Sequence, residues 1–248
     1  WESRWWAGRF PADLPARVEA ACRGRLDLFD ASRPFLQSGD IPLGSKPAEG
    51  LKSAGYLFPE ASTGTNVTHF SHAGEAAHRY CPVCCAHGLV ALPAFATAGG
   101  AGIKPGISGV PPFYVIPRGQ TLFATLLLNT VLPRYRPKMA APMDPGPLWA
   151  GDGVVPAKGE RAAVGFLESL TFPARRVRLF PEEGETPCSR CGRTAPVSVR
   201  RIVFGQGLSR PKDAPLWRDP WAPFALRADK AGGQPQPVPV RPREERAV

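Results

Sequence analysis

The chain has 248 residues, 43% of them hydrophobic, which is enough to bury the core of one large domain or two small ones. Its 30 prolines and 26 glycines predict a loop-rich fold with short regular elements. Six cysteines in so large a basic chain exclude a secreted disulfide scaffold, and a formal net charge of +10 favours polyanionic partners, because Lys and Arg on phosphates release counterions. The plain alternative for the charge is a chain in which Arg is simply abundant.

The chain opens at Trp1, which reads as a segment or a processed chain, and no apolar run follows Arg4 and Arg9 as a signal peptide requires. Leu14, Val18 and Cys22 share one face of a short predicted helix. Leu26 to Phe29 alternates and predicts a short strand or an extended segment. Residues 38–70 read as loop, with Tyr56-Leu57-Phe58 their large apolar cluster. Ser71 to about Leu92 turns helical through Ala76, Ala77, Tyr80 and Cys84, with Pro82 and Gly88 expected to interrupt it. The longest uncharged stretch, Leu89 to Ile103, is short and broken by Pro93 and glycines, so no membrane span is expected.

Residues 99–112 are too rich in Gly and Pro for a helix. Gln120 to Leu132 is the best helical pattern, with Phe123, Leu126, Leu127 and Val131 on one face and Pro133 ending it. After a loop over 134–160, Ala162 to Leu170 reads as helix, while Arg175 to Phe180 and Val197 to Phe204 read as strands. The tail from Asp229 reads as a linker.

Cys81-Pro-Val-Cys84 and Cys188-Ser-Arg-Cys191 carry the strongest chemical signal. Two residues between cysteines let both thiolates reach one ion from a tight turn, and two such knuckles complete a tetrahedral zinc site. Gly192 offers an easy positive φ after the second knuckle, and Arg79 and Arg190 supply cations that favour thiolates. About 100 residues separate the knuckles, where a compact zinc ribbon has about 15–20, so the metal would pin distant parts of the chain together. A redox pair or unrelated thiols are the alternatives; Cys22 and Cys85 are read as packing.

His69, His72, His78 and His87 crowd the first knuckle, yet His-Glu-x-x-His and the zinc-deaminase signature are absent. Asn66, His69 and His72 imitate a nuclease site only loosely. No Walker loop, dinucleotide fingerprint or nucleophile elbow is present. Gly99-Gly100-Ala101-Gly102 reads as a turn or a close approach to a ligand, and Arg175, Arg176 and Arg178 as a basic strand that is solvated, flanks the core or meets nucleic acid.

Several segments in order resemble the large subunit (CasA family) of the type I-E CRISPR complex, often called Cascade. They are Leu26-Asp27-Leu28-Phe29 with Arg33-Pro34-Phe35-Leu36-Gln37, Thr97 to Gly102 followed by Gly119 to Asn129, Leu170 to Leu179, and Arg218-Asp219-Pro220 with Pro223-Phe224. Zinc-binding members of that family carry two Cys-x-x-Cys pairs in the same places.

The resemblance implies an irregular α+β fold stapled by a structural zinc on Cys81, Cys84, Cys188 and Cys191. Residues 1–228 would form one domain like the family's N-terminal domain without its start, and 229–248 a linker toward a missing C-terminal helical bundle. It implies a non-catalytic, cytoplasmic subunit that works with crRNA, target double-stranded DNA, other Cascade subunits and a helicase-nuclease. Gly99, Gly100, Ala101 and Gly102, with Lys104, would approach the minor groove of the target-flanking motif. A loop within 58–72, including Thr65, Asn66 and His69, would hold the 5′ handle of the crRNA. The competing readings are a zinc-stabilised nuclease, a stand-alone zinc-knuckle DNA-binding protein, and a scaffold with incidental nucleic-acid contacts.

Overall fold

The structure is a computed structural model, and it describes residues 2–42, 50–58, 60, 78–95, 104–109, 112–137, 143–162, 164–214, 217–227 and 236–240. The glycine run 99–102 and the RNA candidates Thr65, Asn66 and His69 lie outside the described residues, as does His72. Helices and strands mix, as an α+β fold requires, most of them short. The chain forms two compact units, one of residues 24–110 and 139–215, the other of 1–23, 111–138 and 216–248.

In the larger unit, β3 (Arg175–Pro187) and β4 (Thr194–Gln206) make a long antiparallel hairpin, and β1 (Leu51–Ser53) pairs with the other edge of β4. Both long strands run well past the predicted 175–180 and 197–204, because their outer halves are polar and carry no apolar alternation. A 3-10 turn, Ala54–Leu57, follows β1, so strand and turn both fall in the span read as loop. β2 (Gly159–Glu160) pairs in parallel with β5 (Leu208–Ser209).

The core lies between the sheet, the 3-10 turn and α3 (Pro82–Phe95), with Leu57, Leu89, Val199 and Ile202 fully buried. Each such side chain stabilises the fold by about 1.5–3 kcal/mol. Pro82 starts α3 rather than interrupting it, since its missing N–H costs nothing in a first turn. Tyr80 and Cys84 therefore do not share a helix: Tyr80 forms a β-bridge to Val199. Gly88 stays helical as well, because a Cβ there would sit 2.8 Å from Leu57 Cβ, and its absence lets α3 lie against the turn.

Leu26 to Phe29 is not a strand; Leu28 and Phe29 pack on the core while Asp27 accepts the Phe29 N–H at 2.8 Å. The following segment covers the free edge of β3. Ser38 N–H donates to Val177 O at 2.8 Å, and the buried Gln37 accepts from Leu179 N–H at 2.7 Å and donates to Leu28 O at 2.8 Å. An otherwise bare sheet edge is thus paired by one loop. α5 (Phe166–Leu170) is shorter than the predicted 162–170. Asp144 fixes its start by accepting the N–H groups of Leu167 and Glu168 at 2.7 and 3.3 Å.

The smaller unit holds α1 (Glu2–Ala7), α2 (Leu14–Cys22), α4 (Leu122–Leu128) and the antiparallel pair β6 (Phe224–Arg227) and β7 (Gln236–Pro239). β7 lies in the stretch read as linker. α2 matches its predicted bounds. α4 is capped by Thr121, whose Oγ1 accepts the Ala124 N–H at 3.1 Å, and it ends four residues before Leu132. Asn129 Nδ2 and Thr130 Oγ1 take the carbonyls of Thr125 and Leu126 at 2.8 and 2.9 Å, which stops the ladder. Of the predicted apolar face Leu127 is buried, while Leu126 is 50% exposed.

Candidate metal centre and nucleic-acid interface

The two cysteine knuckles sit at opposite kinds of chain end. Cys81 precedes α3 and Cys84 lies in its first turn. Cys188 to Cys191 is the tip of the β3–β4 hairpin, closed by Cys188 N–H to Arg193 O at 3.0 Å and Gly192 N–H to Cys188 O at 2.8 Å. Gly192 has φ +72°, so the tip needs a residue without a Cβ penalty.

Backbone pairing brings the knuckles together across 110 residues. Tyr80 and Val199 exchange N–H···O bonds of 3.0 and 2.8 Å, which lays residues 79–80 along β4 beyond β1. Arg79 and Ser189 then bind each other twice, N–H to Oγ at 3.0 Å and Ser189 N–H to Arg79 O at 2.8 Å. The four sulfurs end within 4.8 Å of one another, with Cys81, Cys84 and Cys188 buried and Cys191 exposed.

A tetrahedral ion bound by thiolates at about 2.3 Å needs sulfurs about 3.8 Å apart. Cys81 and Cys191 Sγ are 3.8 Å apart. Electrostatics agree with that donor set. Burial and its thiol neighbours push Cys84 up to about 12. Burial also pushes Cys188 up, but N–H groups of Cys81, Cys191 and Arg190 outweigh it and bring the thiol down to about 6. One thiolate is favoured and a second beside it is not, so four thiolates require a cation among them. Cys85 is fully buried beside the group, its thiol raised chiefly by desolvation, and Cys22 is elsewhere and part-exposed. Among the described residues no other group of three or more His, Cys, Asp or Glu is placed to hold an ion.

The nuclease alternative gains nothing from the described histidines. His78 Nδ1 lies 3.4 Å from the Tyr80 hydroxyl, and His87 is exposed on α3. The basic strand reading changes as well. Arg175, Arg176 and Arg178 are 5%, 9% and 1% exposed, so they are neither solvated nor on an open interface. Arg176 binds Asp40 through both Nη atoms at 3.1 and 2.8 Å, and Arg178 Nη2 donates to Asp30 O and Ala31 O at 3.2 Å. They tie the loop before β1 to β3.

Lys104, the described member of the DNA-contact set, is held at three points. Its N–H donates to Gln206 Oε1 at 2.5 Å, its C=O accepts from Arg175 Nη1 at 2.7 Å, and its ammonium pairs with Glu160 at 2.8 Å. Burial draws the Arg175 guanidinium down to about 10. The backbone just after the glycine run is therefore fixed by two buried side chains.

Sequence reasoning missed the ion pairs around the knuckles. Arg190 Nη2 pairs with Glu60 at 2.8 Å, its guanidinium 4.8 Å from the centre of the Phe58 ring. Glu182 is met by Arg79 at 2.6 Å, Arg200 at 3.3 Å and Arg201 at 3.9 Å. The visible signal was Arg200-Arg201 breaking the alternation of an otherwise apolar strand.

The family of CRISPR-associated protein Cse1 matches residues 1–248. The chain belongs to that family. A relative from Thermus thermophilus, "CRISPR-associated protein CasA/Cse1", is 34% identical over 236 residues, covering 92% of this chain and 42% of its own length. The crystal structure of Cse1 from Acidimicrobium ferrooxidans is similar with TM-score 0.65 and 28% identity, covering 98% of this chain and 45% of that one. A chain of a CRISPR RNA-guided surveillance complex shares the fold, with TM-score 0.63 at 20% identity, covering 99% of this chain and 48% of its own. The chain thus spans less than half the length of the relatives it matches. Among the described residues no helix is long and apolar enough to cross a membrane.

Proposed function

We propose that the chain serves as a non-catalytic, cytoplasmic, nucleic-acid-binding part of the large subunit of a type I-E CRISPR surveillance complex. The observation that carries this reading is the family match along the whole chain. The net charge of +10 supports it, since the partners would be crRNA and target duplex. Other subunits of the complex and a helicase-nuclease complete the set of partners. In the same reading residues 1–228 act as the family's N-terminal α+β region, with 229–248 leading out of it.

The guide pairs with the target strand, while the protein reads the short flanking motif. In this reading Gly99, Gly100, Ala101 and Gly102 bring bare backbone to the minor groove, where side chains would clash and recognition is tolerant. Gln206 and Arg175 support it by fixing the backbone of Lys104 next to that run. Lys104 would exchange Glu160 for a phosphate on binding. Thr65, Asn66 and His69 would contact the 5′ handle of the crRNA.

Cys81, Cys84, Cys188 and Cys191 would hold one structural zinc ion. Bound there, the ion supplies neutralising charge to four thiolates and joins the start of α3 to the hairpin tip. A four-cysteine set leaves no open coordination position for a reacting water.

The test is binding of the assembled complex to target duplexes that differ only in the flanking trinucleotide. Binding that depends on the flank, and loses that dependence in Gly100→Asp, supports the reading. Binding indifferent to both reduces the chain to a scaffold.

A further inference from the structure

We propose that Arg79, Arg200 and Arg201, gathered on Glu182, form a second nucleic-acid contact that grips the phosphodiester backbone without regard to sequence. Three guanidiniums share one carboxylate: Arg79 Nη1 is 2.6 Å from Glu182 Oε2, and the Nε atoms of Arg200 and Arg201 are 3.3 and 3.9 Å from Oε1. Among the described residues these are the ion pairs the three arginines make, so two positive charges are left over. The arginine side chains are 33%, 35% and 52% exposed, while Glu182 is 24% exposed. Arg201 is the exposed member, while Arg79, Arg200 and Glu182 are each partly open to water.

Neighbouring strand residues normally point to opposite faces. Here a register shift overrides the rule. Phe180 pairs with Arg201 and Pro181 with Val199, which leaves Arg200 as the extra residue of a β-bulge. A bulge re-aims a side chain at the expense of a ladder bond. This one turns two consecutive arginines toward one carboxylate. The third, Arg79, comes from another part of the chain and is fixed through its backbone N–H and C=O by Ser189 of the hairpin tip. Pro181, with no N–H to give the ladder, sits at the break, and the cluster that results carries more guanidinium charge than Glu182 offsets, which leaves a place for a further anion.

Phosphodiester groups fit that place. Guanidinium forks match phosphate oxygens in pairs, and a strand offers successive anions where a free ion offers one. Glu182 is then the internal stand-in for phosphate: it holds the arginines in place before the strand arrives and competes with it afterwards.

The proposal goes beyond the glycine-loop reading and has a separate readout. The full chain would be titrated with labelled single-stranded RNA and, in a parallel arm, duplex DNA, both of arbitrary sequence, across a salt series. In Arg200→Gln/Arg201→Gln the affinity at low salt should fall about tenfold or more, and the slope of log K against log salt should lose about one per arginine. Glu182→Gln should bind a few-fold more tightly and more so than Glu185→Gln, which removes the same charge outside the cluster. Arg201→Gln alone, the most exposed of the three, serves if the double variant folds poorly, and urea midpoints report folding. The arm that shows the loss identifies the strand. An unchanged slope in both arms, or Glu182→Gln binding more weakly, overturns the proposal, as does equal loss with a polyglutamate competitor. Flank discrimination unaffected by these variants leaves the glycine-loop reading standing, and its failure in Gly100→Asp leaves this one standing.

Discussion

Arg79 and Ser189 lie 110 residues apart and hold each other by two hydrogen bonds, each residue donating once. That exchange, one bond to the Ser189 hydroxyl and one to the Arg79 carbonyl, sets the two cysteine knuckles face to face. The thiol group is therefore largely assembled by the sheet, and an ion adds to a geometry already near what it needs.

Metal content follows directly. The purified chain should release one equivalent of zinc when its thiols are modified, as read by a zinc-sensitive dye. Cys84→Ser and Cys188→Ser should each abolish that release and lower the melting temperature. Cys85→Ser should keep the full equivalent, because Cys85 is fully buried outside the four-sulfur group and its Sγ lies 3.9 Å from Tyr80 O. Retained metal in Cys84→Ser would sink the assignment.

Arg178 is the most informative of the buried cations. Its Nη2 donates to two carbonyls, while Nη1 is buried with no partner, and desolvation lowers its pKa. Arg178→Ala should cost about 3 kcal/mol, since it opens a cavity and orphans the carbonyls of Asp30 and Ala31. Arg178→Met should cost less than half of that, because an apolar chain of similar size avoids the burial of charge. Urea denaturation of both variants measures the difference; equal losses would mean that the charge itself is needed.

The sequence made some of this legible and hid the rest for physical reasons. The cysteine spacing carried the metal group because ligand geometry is local, and α2 could be bounded because its apolar period is local too. The burial of Arg175, Arg176 and Arg178 was hidden, because the carbonyls of residues 30, 31, 104 and 155 and the Asp40 carboxylate receive them, and those partners appear only after folding. The Arg200 bulge was hidden for the same reason: register is a property of two strands. Pro82 misled because one proline breaks a helix interior and starts a helix end.

Asp144 gives a pH signature. Burial pushes its pKa up, but N–H donors from Leu167, Gly146 and Glu168 outweigh this and leave it below the usual carboxylate value. A depressed pKa contributes stability that is present above the unfolded value of about 3.9 and is lost as pH falls through the folded one. Asp144→Asn should thus cost about 0.5–1 kcal/mol near neutral pH, at the low end of cap energies because the carboxylate is largely solvated. The gap between the variant and wild-type urea midpoints should narrow from pH 6 to pH 3. A gap that stays constant would remove Asp144 as the charged cap of α5.

Gly88 sets propensity against packing. Alanine in a helix interior is favoured over glycine by about 1 kcal/mol, so Gly88→Ala should stabilise α3 considered alone. In the fold, the added Cβ meets Leu57 Cβ at 2.8 Å, Leu57 O at 3.2 Å and Phe58 Cε1 at 3.2 Å. Leu57 is fully buried and its carbonyl belongs to a 3-10 turn anchored on β1, so neither neighbour can swing aside. Overpacking of this kind costs about 1–3 kcal/mol and wins over the propensity gain. The expected outcome is a net loss of about 1 kcal/mol or more in urea, with the Leu57 contact as its source. Leu57→Ala would keep the Cβ that the new methyl meets, so Leu57→Gly is the change that removes the 2.8 Å contact, and in that background the cost of Gly88→Ala should shrink or reverse. A double-mutant cycle measures that change, and additive losses would show that α3 does not owe its position to the missing side chain.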